Sequence, residues 1–273
     1  VIAFFLSWRF AVYEEEKVRL IWHNNMSVVL NGRADVISDW VKREKNAIER
    51  LSENPTLKLF MGSQSSSMGL NEEGAEALSE YVLPLLNDRA NQLGYVADIS
   101  DQQYEIKANV ERKNLAGLGV VALDGTILLA TAGMPTATHA VSAYIENGAS
   151  RDPLVVGPYR GESNLLTLVF IAPIFSIDED ENSPAEGFLV GIKVLNDNFL
   201  NLSLQPGEIT QSATNGIIYH EAGLLHFAQR RSALDPNFVT SVDPTSERRD
   251  MSFAWSNPGK FSQRIDALGK DVL

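Results

Sequence analysis

The chain has 273 residues, 44% of them hydrophobic and 21% charged, with a formal net charge of −12 and no cysteine. At ~100–200 residues per domain this suits one large domain or two small ones, with apolar residues enough for real cores. The acidity excludes the clustered Lys and Arg that nucleic acid requires, and the missing cysteines exclude thiolate catalysis and Cys-based zinc sites.

The chain opens on six apolar residues, Val1 to Leu6, followed by Ser7-Trp8-Arg9. Six cannot span a hydrocarbon core, which takes ~20. An apolar run followed by Trp and Arg matches the end of a spanning helix at the membrane interface, and it equally matches the start of a buried helix. With its abrupt end at Asp271-Val272-Leu273, the chain reads as a piece of a longer protein.

Residues 9–53 contain no Pro and only Gly32. Leu30, Ala34, Ile37, Val41, Ile48 and Leu51 recur at three and four, with Glu44 in one slot of the same stripe, which predicts an amphipathic helix. A second stripe through Val18, Trp22, Val29 and Val36 gives this helix two contact surfaces, one for its own domain and one for a partner. Asn54-Pro55 is the expected stop. Gly62-Ser63-Gln64-Ser65-Ser66-Ser67 reads as a loop, and Asn71-Glu72-Glu73 starts a second helix that ends near Gly94.

The pattern changes near Leu115. Residues 118–123 and 126–131 read as strands around a tight Asp124-Gly125 turn. A short helix over Pro135–Asn147 follows, then an extended segment from Pro153 to Tyr159 and a strand over Leu165–Phe175. After these come an acidic loop over 176–186, a strand over Gly187–Leu195 and a short helix over 196–204. A second hairpin is expected at 216–220 and 224–228, a loop over 234–250, and short strands at 253–255 and 261–268. The two hairpins, about a hundred residues apart, each start a separate small antiparallel sheet. The expected class is therefore α+β: a long N-terminal helix over 1–54, a module over 55–204 and a further, truncated module over 205–273.

This order resembles the double Cache (dCache, PAS-like) extracytoplasmic sensor domains of bacterial transmembrane receptors: chemoreceptors, histidine kinases and diguanylate cyclases. Trp40-Val41, Ile48 and Leu51-Ser52-Glu53-Asn54-Pro55 look like the family's first helix. Val120-Val121-Ala122-Leu123-Asp124-Gly125-Thr126-Ile127 looks like its first hairpin. Val156-Gly157-Pro158-Tyr159 looks like its ligand-side strand and Thr167–Ile174 like its alanine-proline-isoleucine strand, Gly187–Val194 like the last strand of its first module, and Ile265–Leu273 like the penultimate strands of its second. The resemblance implies a membrane-distal module over 55–204 and a membrane-proximal one over 205–273. It implies a periplasmic sensor anchored in the inner membrane through flanking helices, paired as a homodimer along its first helix. Such a domain binds a small molecule, needs no cofactor, and passes the signal to a cytoplasmic output domain. The rival reading is a ligand-free Cache module that serves as a periplasmic interaction or dimerisation domain.

No catalytic constellation is visible, and the chain is not expected to be an enzyme. His220-Glu221 and His226 miss the four-residue helical spacing of a zinc-protease motif. Asp178-Glu179-Asp180-Glu181 lacks the alternating ligands of a calcium loop. There is no phosphate-binding glycine loop and no Gly-x-Ser-x-Gly elbow. The resemblance places the ligand between the sheet and the loops around the short helix, here His139 to Arg160. Its polar and aromatic members are Tyr144, Arg151, Asp152, Tyr159 and Arg160. The amino-acid-binding subgroup carries a late Asp for the ligand ammonium, and that position matches Lys193 here. A cation there repels an ammonium and attracts an anion, so Arg151, Arg160 and Lys193 together point to a small carboxylate.

Overall fold

The computed structural model describes residues 2–64, 72–96, 116–136, 138–146, 151–160, 166–177, 184–195, 216–221, 224–229 and 239–242. It divides into two compact units, one of Trp40–Asn196 and one of Val1–Asp39 with Asp197–Leu273. Helix α1 runs unbroken from Ile2 to Ser52. Among the described residues no helix is long and apolar enough to cross a membrane.

In the unit Trp40–Asn196, α1 stops where Asn54-Pro55 predicts, but the chain re-enters a helix at once. Helix α2 spans Pro55–Gln64. Asn54 caps it: its side-chain oxygen accepts from Thr56 N–H at 2.9 Å, and its carbonyl accepts from Leu57 and Lys58 N–H. Pro55 occupies the first helical position, where no N–H is needed. Leu57, Phe60 and Met61 bury one side of this turn, and the Ser63 hydroxyl donates to the Phe60 carbonyl. Gly62, Ser63 and Gln64 are thus helical rather than loop, because the buried side of α2 outweighs their polar composition. Helix α3 spans Glu72–Leu93 and ends on Gly94 at φ +73°, with Tyr95 N–H bonded to the Ala90 carbonyl, the closure that a glycine at this position permits.

Five strands follow, β1 (Gly117–Ala122), β2 (Ile127–Ala130), β3 (Leu154–Arg160), β4 (Leu166–Ile174) and β5 (Gly187–Val194), with α4 (Thr138–Glu146) between β2 and β3. They form one antiparallel sheet in the order β2-β1-β5-β4-β3. The Asp124 carboxylate closes the β1–β2 turn by accepting from Thr126 N–H. Every residue of β4 is buried, as a strand covered on both faces must be. On one face Leu118, Val120, Phe170 and Leu189 meet the helical layer, where Ile48, Met61 and Tyr95 abut the sheet. On the other face Val121, Val169, Ile171, Phe188, Val190 and Ile192 form a core with Met134, Val141 and Tyr144.

In the other unit, β6 (Gly216–Glu221), β7 (Leu224–Gln229) and β8 (Val239–Val242) form a separate antiparallel sheet in the order β6-β7-β8. The α+β class and the two hairpin-led sheets are as the sequence predicts. Strand β8 falls inside the stretch read as a loop, since a four-residue strand among Asp, Pro and Ser gives too little alternation to detect. The helix expected at 196–204 and the strands expected at 253–255 and 261–268 lie outside the described residues.

Candidate functional site

Alternation along the strands sorts the candidate residues between two faces. On α4, Val141 and Tyr144 lie three apart and both turn onto the sheet. Tyr144 is 2% exposed, and its ring meets Phe188 edge-on at 4.9 Å between centroids. Burial, and then the nearby Asp152 carboxylate, push its pKa up, so the hydroxyl stays protonated and able to donate.

Strand β3 brings Tyr159 to the same core. Its register against β4 shifts between Val156 and Tyr159, where Gly157 adopts φ +109°. A Cβ at Gly157 would stand 2.8 Å from the Thr167 carbonyl oxygen, so only glycine lets the backbones approach this closely. Beyond the bulge, Tyr159 pairs with Thr167 and packs half-buried against the Tyr144 cluster. Arg151 and Asp152 precede β3 and are exposed, while Pro153 after them is buried. The Arg151 guanidinium stacks on Phe175, 4.3 Å from the ring centroid. The backbone of Arg160 pairs with Leu166 at the end of β3, and its side chain lies outside the described residues.

Lys193 stands apart from this group. It follows Ile192 on β5, so it turns to the helix-covered face and pairs across the sheet with Leu168. Its ammonium forms an ion pair with Glu44 Oε1 at 2.7 Å and donates to the Leu93 carbonyl at 2.6 Å. It also lies 4.4 Å from the Tyr95 ring centroid and 5.5 Å from that of Trp40. Burial lowers its pKa, with the hydrogen bond and charge of Glu44 working against that effect. The expected group of three cations beside one ligand therefore does not form, because strand alternation puts Lys193 on the opposite face from Tyr144 and Tyr159.

Trp40, Glu44 and Tyr95 were not among the expected site residues. One signal was present: Glu44 occupies a slot of an otherwise apolar helical stripe, and a carboxylate there needs a buried partner. Among the described residues no group of three or more His, Asp or Glu could hold a metal ion. The register sets His220 against Leu225 and His226 against Tyr219, so the two histidines are not cross-strand partners.

No protein-family model matches the chain, and no curated protein matches it. A solved structure, the extracellular ligand binding receptor from Desulfohalobium retbaense DSM5692, is similar at a TM-score of 0.32 and 10% identity, over 71% of this chain. The chain spans 36% of that receptor chain's length.

Proposed function

We propose that the chain is an extracytoplasmic small-molecule sensor, part of a membrane-anchored receptor of the double Cache kind, whose ligand lies beside α4 and β3. The observation that carries this reading is the convergence of α4 and β3 on the sheet face opposite α1, α2 and α3. That is the segment the sequence resemblance marks for ligand, and Tyr144 and Tyr159 share one core there, with the Asp152 carboxylate near Tyr144 and Arg151 stacked on Phe175. The ligand class is a small carboxylate. With Lys193 turned away, Arg151 is the described cation of this segment. A guanidinium stacked on a ring still donates from its edge and can fork onto a carboxylate. Signalling then needs the ligand to favour one of two arrangements of the domain.

Calorimetry with a panel of small carboxylates and amino acids tests the reading. A carboxylate should bind, and Arg151→Ala should weaken it about tenfold or more, since a charge-assisted contact contributes ~1.5–3 kcal/mol. Tight binding of an amino acid undiminished in Arg151→Ala, or no binding anywhere in the panel, would overturn it.

A second reading is favoured by α1. Trp8, Phe10, Val12, Tyr13, Val18, Leu20, Ile21, Val28 and Val36 are exposed on it. Val18 and Val36 belong to the second stripe that the sequence predicts for a partner. Exposed apolar residues of this kind fit a helix-mediated interaction or dimerisation module.

A further inference from the structure

The environment of Lys193 has the composition of a ligand site. An ammonium has three N–H donors. Glu44 and the Leu93 carbonyl accept from it at 2.7 and 2.6 Å, and the faces of Tyr95 and Trp40 supply the attraction an aromatic ring offers a cation. The Leu93 carbonyl belongs to the last turn of α3, the negative end of that helix. The Lys193 and Glu44 side chains are 11% and 13% exposed, so both charges are largely withdrawn from water. The surroundings also hold spare polar capacity: among the described residues, the buried Glu44 Oε2 and the buried Tyr95 hydroxyl have no hydrogen-bond partner. These groups come from α1, from the end of α3 and from the residue after its terminal glycine, and they close on a side chain of β5.

We propose that Trp40, Glu44, Tyr95 and the Leu93 carbonyl form a primary-ammonium site that the chain fills with its own Lys193, so that one side chain fastens α1 and α3 to β5. The site lies on the sheet face away from Tyr144 and stands independently of the ligand reading. Its chemistry selects a compact, unsubstituted ammonium on an aliphatic stem. Ring faces tolerate many cations, but the two short acceptor contacts require N–H donors. Without Lys193 the site keeps a buried carboxylate with no counter-charge, which destabilises the helical layer.

The test deletes the guest and returns it. Lys193→Ala removes the atoms of an n-propylammonium ion. The variant should melt roughly 6–20 °C below the parent chain, given the usual cost of a broken buried pair in a protein of this size. Added n-propylammonium should raise the variant's midpoint saturably, by more than equal ionic strength of sodium chloride does. It should leave the parent chain and the Glu44→Gln/Lys193→Ala double variant unmoved. A variant as stable as the parent, or a propylammonium shift equal in both, would overturn the proposal. If Lys193→Ala does not fold, proton–carbon NMR of the lysine-labelled parent decides. The Lys193 ε-CH₂ protons should lie upfield of exposed lysines through the ring currents, and Tyr95→Leu should move them back. Lysine ε-protons all at the exposed position would sink the site.

Discussion

At the residue scale, a carboxylate in an apolar stripe proves to be the structural key of its neighbourhood. Glu44 sits between Val41 and Ile48 because its charge is met by Lys193 from the sheet. The same cluster raises the Tyr95 hydroxyl pKa well above the ordinary 10.0, by burial first, then by the Glu44 charge and by the pull of the Glu44 carboxylate on the phenol proton. In the unfolded chain a tyrosine ionises near 10. Above that pH the folded protein holds a proton that the unfolded chain has lost, so this contribution to stability is present below about pH 10 and is lost as pH rises. Lys193 acts in the opposite sense: its pKa is lowered, so its contribution rises with pH up to its unfolded value. Comparing the parent chain with Tyr95→Phe isolates the tyrosine. At neutral pH the Phe variant should be close to the parent in stability, since the buried hydroxyl it loses interacts with Glu44 but makes no hydrogen bond within 3.5 Å. From about pH 10 upward its advantage should grow. Urea unfolding at a series of alkaline pH values checks this, and parallel pH profiles for the two proteins would refute it.

At the element scale, helix ends decide more than composition does. Asn54 stops α1 and starts α2 within three residues, because Pro55 cannot continue one helix yet suits the first position of the next. Asn54→Ala should cost ~0.5–2 kcal/mol, the usual loss for an N-cap. The loss should appear as a lower denaturation midpoint with an unchanged slope, since the surface exposed on unfolding stays the same. Asn54→Ser, which keeps a capping oxygen, should recover most of it. A midpoint equal to the parent's in Asn54→Ala would show that packing of Leu57, Phe60 and Met61 alone holds α2 in place.

For the whole molecule, the second stripe of α1 carries the pairing. Val18 and Val36 of that stripe are exposed, and the proposed dimer would cover them. Self-association of the isolated chain should be weak and concentration-dependent, because a receptor's membrane anchors would otherwise supply the effective concentration. Val18→Glu with Val36→Glu should abolish it in sedimentation equilibrium and leave the melting of the Trp40–Asn196 unit unchanged. A strict monomer at high concentration, or a dimer indifferent to both charges, would reject this surface.

Local patterns sufficed for much of this protein. The long helix, the second helix ending at Gly94, the Asp124-Gly125 turn and the five strands of the first sheet all follow from periodicity and turn chemistry, which act between residues close in the chain. Helix α2 did not, because its polar end is held by burial against α3 and the sheet, and burial is a property of neighbours distant in sequence. The candidate site divides in the same way. Tyr144 and Tyr159 could be picked out as aromatic residues in one segment, but their shared face depends on the register shift at Gly157. Lys193 was legible as a cation and misplaced as a contact. A one-residue step along a strand reverses the face, and only the pairing of Leu168 with Lys193 and of Val169 with Ile192 tells which residue turns to the helices and which to α4.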